Sequence, residues 1–159
     1  MIRVAVLTVS DSSSAQERQD VSGPELRRCC ESLGWAVMFE DVVSDDIAPI
    51  AAKLSAWADG GEVELIVTTG GTGIAKRDVT PEATKAVLDR ELPGFGEVMR
   101  SEGRKKTKLA ALSRAVAGTR GVTLIVNVPG SPKGAVESFE AVADLIPHAL
   151  DLLRGNTAH

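Results

Sequence analysis

Thr69-Gly70-Gly71-Thr72-Gly73 sets three glycines and two threonines in one short stretch, and the loop it opens runs through Lys76-Arg77 to Asp78. Glycine reaches positive φ and, lacking a Cβ, lets backbone N–H groups close on an anion. The threonines add hydroxyl donors. That combination suits a phosphorylated ligand. Lys76 and Arg77 supply cations for phosphate or stay in solvent. Asp78 supplies a carboxylate for Mg²⁺, which takes oxygen ligands and shares phosphates, or ends the turn. Two common nucleotide motifs are absent. Ala75 precedes Lys76 and Arg77 follows it, which breaks G-x-x-x-x-G-K-[ST]; Lys76 also stands where G-x-G-x-x-G needs its last glycine.

Three further segments carry groups of related chemistry. Ser10-Asp11 and Ser44-Asp45-Asp46 each place carboxylates after an apolar run. Two carboxylates from different loops can share one metal, and a metal bridging phosphates favours attack at phosphorus by shielding charge. The competing uses are helix capping for Asp45 or Asp46 and an Asx-turn for Asp11. In Asn127-Val-Pro-Gly-Ser-Pro-Lys133, the lysine falls in the first turn of a helix. A cation there opposes the helix dipole by about 0.3–1 kcal/mol. A bound anion would remove the conflict, with Ser131 adding a hydroxyl; a lysine swung into solvent is the alternative. Arg100, Arg104, Lys105, Lys106 and Lys108 form a basic run without interleaved aromatics, which reads as a solvated face or a mobile cover. Ser113-Arg114, just beyond, offers one more phosphate contact. His148 and His159 form no metal pattern with cysteine, and no Ser-His-Asp or Cys-His arrangement is visible.

The elements that must position these groups alternate. Ile2–Ser10, Trp35–Val43 and Glu64–Thr69 read as buried strands. Helices are expected from Gly23-Pro24 to Gly34, from the Ser44-Asp45-Asp46 cap to about Asp59, and from Thr80-Pro81 until Pro93-Gly94 breaks the pattern. A polar segment to Lys108 reads as partly helical. Leu112–Gly118 and Val122–Val128, joined by Thr119-Arg120-Gly121, read as an antiparallel pair, because the link is too short for a crossover. A last helix follows Pro129-Gly130-Ser131-Pro132, with Val136, Phe139, Val142, Ala143 and Ile146 on one face and Pro147 as a kink. Alternating strands and helices imply a three-layer α/β/α sandwich, mostly parallel with one antiparallel strand. Ligands of such sheets sit beyond the carboxyl ends of the strands, where all four loops converge.

The composition agrees. The chain has 159 residues, enough for one domain over 1–159 that buries a core without staples. Aromatics are scarce, so Val, Ile, Leu and Ala must fill the core. A net charge of −4 gives no general affinity for nucleic acid. Residues 1–64 hold 5 basic and 12 acidic side chains, and residues 100–159 hold 9 and 5, which permits self-association or an anion site in the second half. Cys29 and Cys30 are adjacent and imply no disulfide framework, and no apolar run is long enough to span a membrane. A cytoplasmic location is the expectation.

Taken together, Thr68-Thr-Gly-Gly-Thr-Gly73, Arg77-Asp-Val-Thr-Pro-Glu-Ala83, Pro93-Gly-Phe-Gly-Glu-Val-Met-Arg100, Leu112-Ser-Arg114 and Asn127-Val-Pro-Gly-Ser-Pro-Lys133 resemble the MogA/MoaB-type molybdopterin adenylyltransferases. The resemblance runs from Val4 to about Leu153. It implies the molybdopterin-binding fold, commonly trimeric, and Mg²⁺-dependent transfer of AMP from ATP to the terminal phosphate of molybdopterin. Pyrophosphate would be released, as a step in molybdenum cofactor biosynthesis. Asp78 matches the family's essential aspartate. Asp45 best matches the second, with Asp46 beside it and Ser44 where many members have proline. Ser10, Asp11, Thr69, Gly70, Gly71, Thr72, Gly73 and Asn127 would line the ligand site. Glu97, Ser113, Arg114, Pro129, Gly130, Ser131 and Lys133 would belong to the pterin-phosphate side, with Lys133 and Arg114 holding the attacking phosphate. Implied partners are ATP, molybdopterin, further copies of the chain and other proteins of the pathway, with no nucleic acid and no membrane. The alternatives are a non-catalytic molybdopterin-binding paralogue acting as carrier or complex subunit, a phosphate hydrolase of the competence-damage type, and a purely structural subunit.

Overall fold

A computed structural model describes residues 1–11 and 21–156. The polar loop expected between Asp11 and Ser22 lies mostly outside the described residues, as does His159. Strand β1 (Arg3–Val9) is buried from Val4 onward on both faces, which is why it reads as an unbroken apolar run. Helix α1 (Ser22–Ser32) leads through Gly34, at φ 82°, into β2 (Ala36–Val43). Helix α2 (Ile47–Asp59) and β3 (Leu65–Thr69) follow, then α3 (Thr80–Val87), the two-residue β4 (Arg90–Glu91) and α4 (Pro93–Arg104). A 3₁₀ turn at Lys108–Leu112 precedes β5 (Ala117–Arg120) and β6 (Thr123–Val128). Helix α5 (Pro132–Val142), a 3₁₀ turn at Ala143–Leu145 and α6 (Ile146–Leu153) are the last elements among the described residues.

The six strands form one sheet in the order β2-β1-β3-β6-β5-β4. β2, β1, β3 and β6 are parallel, and β5 runs antiparallel to both β6 and β4. The expected architecture is therefore present. One core layer joins Val4, Val6, Val67 and Val126 to Leu26, Met99, Phe139 and Ile146 of α1, α4, α5 and α6. The other joins Ala5, Leu7, Ile66 and Ile125 to Ile50, Leu54, Ala83 and Val87 of α2 and α3. Strand order reverses at β1, with β2 on one side and β3 on the other, so the loops leaving β1 and β3 diverge and open a crevice.

Several boundaries differ from expectation. Leu112 ends the 3₁₀ turn and is 49% exposed, so β5 starts only at Ala117. Pro93 does not merely break a helix: it occupies the first turn of α4, where its missing N–H costs nothing. Pro147 likewise opens α6 rather than kinking α5. Asp46 sits at the N-cap position of α2, yet its side chain makes no capping bond. Its carboxylate instead accepts from Ser44 Oγ at 3.1 Å.

Candidate functional site

The glycine loop is shaped by its neighbours. Gly70 and Gly71 have φ of 102° and 71°, a region that disfavours other residues. A Cβ at Gly70 would collide with the Val9 carbonyl oxygen, and one at Gly71 with Thr80 Oγ1. The bends are pinned from both sides. Thr80 Oγ1 donates to Gly70 O at 2.9 Å, Thr80 N to Gly71 O at 3.1 Å, and Gly70 N to Val128 O at 3.2 Å. Thr69 Oγ1 donates to Pro129 O at 2.7 Å, which ties the loop to the Pro129–Lys133 turn. Gly130 lies so close that a Cβ on it would sit 3.2 Å from Gly70 Cα.

Two cavities flank this junction. The first, about 500 Å³, occupies the crevice between β1 and β3. Its walls include Thr8–Asp11, Val21, Ser22, Val42, Asp45, Thr69–Gly71, Arg77, Asp78 and Gly130–Pro132. The second, about 530 Å³, lies between the glycine loop and α4. Thr72, Gly73, Met99, Arg100, Thr107, Leu109, Leu112, Ser113, Ala115, Pro129, Gly134 and Glu137 are among its walls. Gly71, Asp78, Gly130 and Ser131 line both cavities and form a shared wall.

The carboxylates gather on the first side. Burial, with Asp78, Asp11 and Asp46 nearby, pushes the Asp45 carboxyl up from its usual value, and Arg77 pulls against it. Asp46 is exposed and lines neither cavity. Asp78 Oδ2 accepts from Ala75 N at 3.0 Å, which leaves Oδ1 for other use. No group of three or more metal-ligating side chains occurs among the described residues. Asp45 and Asp78 both line the first cavity, and Mg²⁺ is a cation that can bind through one or two carboxylates when phosphate and water complete its shell.

The remaining sequence candidates divide. Ser10, Asp11, Thr69, Gly70, Gly71, Thr72, Gly73, Ser113, Pro129, Gly130 and Ser131 all lie on one cavity or the other. Ser131 also caps α5, its Oγ accepting from Gly134 N at 3.2 Å. Four candidates fall elsewhere. Asn127 is fully buried, and its amide is consumed by the protein: Nδ2 donates to Thr68 and Thr84 hydroxyls at 2.8 and 3.0 Å, and Oδ1 accepts from Val116 N at 3.2 Å. Glu97 and Lys133 are exposed and line neither cavity. Arg114 also lines neither; its side chain bonds Gly73 O, Asp78 O and Glu82. Conversely, Arg100, assigned to a solvated face from its basic neighbours, is half-buried in the second cavity. It donates to Ser113 O and Ala115 O at 3.4 and 3.2 Å. Its place beside Met99 on the buried stripe of α4 is the signal that separates it from Arg104 and Lys105.

Fold and site together define a protein with a mostly parallel sheet and a two-chambered crevice at its switch point. Residues 5–148 match the family described as probable molybdopterin binding domain, and the chain belongs to that family. It is 42% identical to a molybdopterin adenylyltransferase of Helicobacter pylori, covering 98% of this chain and 89% of that protein. The Escherichia coli K12 molybdopterin adenylyltransferase is 38% identical over 97% and 86%. The Drosophila melanogaster molybdenum cofactor synthesis protein cinnamon is 42% identical over 96% of this chain, which spans 26% of its length. The crystal structure of the molybdopterin biosynthesis enzyme MoaB from Thermus thermophilus superposes with a TM-score of 0.91 at 52% identity, covering 98% of each chain.

Proposed function

We propose that this protein transfers AMP from ATP to the terminal phosphate of molybdopterin, giving adenylyl-molybdopterin and pyrophosphate. The observation that carries the reading is the pair of adjoining cavities with one shared wall of Gly71, Asp78, Gly130 and Ser131. A two-substrate phosphoryl transfer needs two binding volumes that meet at the reacting phosphates. Relatives at about 40% identity over nearly the whole chain are named for this reaction.

The first cavity, with Asp45, Asp78 and Arg77, suits the nucleotide and its counter-ion. Mg²⁺ bound by Asp45 and Asp78 would neutralise charge on the nucleotide phosphates. The second cavity, walled in part by Met99, Leu109 and Leu112, suits the pterin, with Arg100 as the cation on its lining. At the shared wall the backbone N–H groups of the glycine loop and the Ser131 hydroxyl orient the attacking pterin phosphate towards the α-phosphorus. A pterin phosphate oxygen attacks, the bond from the α-phosphorus to the bridging oxygen breaks, and pyrophosphate leaves with that electron pair. The nucleophile is already anionic, so no general base is required. Residues 1–159 act as one unit in this reading, assembling as a cytoplasmic homotrimer alongside other proteins of the cofactor pathway. The carrier alternative leaves Asp78 on the shared wall, and Asp45 in the first cavity, without a task. Pterin-dependent release of pyrophosphate from Mg²⁺-ATP tests the proposal; tight pterin binding without that release contradicts it.

A further inference from the structure

Arg114 is anchored at three points to the segment that presents Asp78 and at a fourth to Glu82 on α3. Its main-chain N donates to Thr72 O at 2.8 Å. Its Nε donates to Gly73 O at 2.7 Å, one terminal nitrogen to Asp78 O at 2.7 Å, and the other to Glu82 Oε2 at 2.6 Å. Gly73 and Asp78 bracket residues 74–77, all of them exposed. Within that turn, the bonds between Ala75 and Asp78 are Ala75 N to Oδ2 and Asp78 N to Ala75 O. The guanidinium therefore bridges the two ends of the turn, bonding the carbonyls of Gly73 and Asp78 at once. Its charge is already partnered by Glu82, so it is poorly suited to neutralising a substrate phosphate as well.

We infer that Arg114 is a positioning residue: its planar fork fixes the Asp78 turn, and thereby links the Ser113 edge of the second cavity to the carboxylate on the shared wall. Glu82 is the partner that orients the fork. This rests on the reading of Asp78 as a metal-holding carboxylate given above. A displacement near 1 Å in a reacting constellation costs on the order of 100-fold in rate. Lysine keeps the charge but loses the rigid fork, so it cannot replace arginine in this role.

The test compares Arg114→Lys, Arg114→Gln, Glu82→Gln and the Arg114→Gln/Glu82→Gln double variant in the full chain. Steady-state kinetics give kcat and the pterin KM. Calorimetry with a non-hydrolysable ATP analogue, with and without Mg²⁺, gives the Mg²⁺-dependent part of nucleotide affinity without turnover. The expected result is a kcat loss of roughly 30–100-fold for both Arg114 variants, with pterin KM within threefold of wild type. The Mg²⁺ enhancement of analogue binding falls about tenfold in both. Glu82→Gln gives a smaller loss of the same kind and adds nothing to Arg114→Gln, as for two residues acting through one interaction. Near-wild-type behaviour of Arg114→Lys, with a tenfold or greater rise in pterin KM for Arg114→Gln, would overturn the inference in favour of a direct phosphate contact. Unchanged kcat and Mg²⁺ response in Glu82→Gln would also overturn it, and that variant serves if the Arg114 variants fail to fold. Wild-type protein that transfers no AMP would refute the proposed function, whereas the calorimetric comparison still judges the role of Arg114.

Discussion

Gly70→Ala should disable the site by a backbone collision rather than by loss of a functional group. Two costs arise at once. Holding an alanine at φ 102° costs about 1–3 kcal/mol. The added Cβ would also stand closer than 3.0 Å to the Val9 carbonyl oxygen, which belongs to the buried β1 strand and cannot rotate away. Relieving it means prising apart the carboxyl ends of β1 and β3, an overpacking strain of about 1–3 kcal/mol. A total near 4 kcal/mol lowers the melting temperature by roughly 8–16 °C at about 2–4 °C per kcal/mol for a chain of this size class. The crevice opens at the same point, so pterin-dependent pyrophosphate release at 25 °C should fall at least tenfold in protein that circular dichroism shows to be folded. A variant melting within 2 °C of wild type with full activity would refute the reasoning that these two strands are clamped through Gly70.

Two further substitutions separate architecture from chemistry. Asn127→Ala strands the Val116 N–H and removes two hydroxyl contacts, at about 1–3 kcal/mol for a buried unsatisfied group; chemical denaturation should show that loss while pterin affinity stays within twofold. Asp45→Asn should raise the melting temperature of the ligand-free protein at pH 7 while abolishing transfer. The sign follows from linkage: burial raises the folded-state pKa of Asp45, so its ionised form costs stability once the pH exceeds that raised value. The advantage of asparagine should vanish as the pH falls below about 4, where the carboxyl is protonated in folded and unfolded chains alike. Melting curves of both proteins across that range check it.

Much of the fold is legible in the sequence because its signals are local. β1 and β3 announce themselves as short β-branched runs, and the glycine loop is needed where φ turns positive. The errors are non-local or ambiguous in period. Leu112-Ser-Arg-Ala-Val116 is as apolar as a strand, but Leu112 closes a 3₁₀ turn beside the second cavity. Asn127 sits in a motif that suggests a ligand contact, although strand alternation already puts it on the face of Ile125, under α3. The bonds of Arg114 have no local signal, because its partners Gly73, Asp78 and Glu82 lie 32 to 41 residues away. Lys133 illustrates the limit of a dipole argument: an exposed lysine in a first helical turn carries only a small penalty, which solvent can absorb.

In the proposed reaction two ligands meet at the wall shared by Gly71, Asp78, Gly130 and Ser131. Incubating the protein with ATP labelled at the α-phosphate, Mg²⁺ and molybdopterin, and separating the products, tests it directly. Label should appear in a pterin-linked AMP in equal amount to the pyrophosphate released, and Asp78→Asn should abolish both while still binding pterin. Label recovered only as free AMP, or unchanged transfer by Asp78→Asn, would contradict the account.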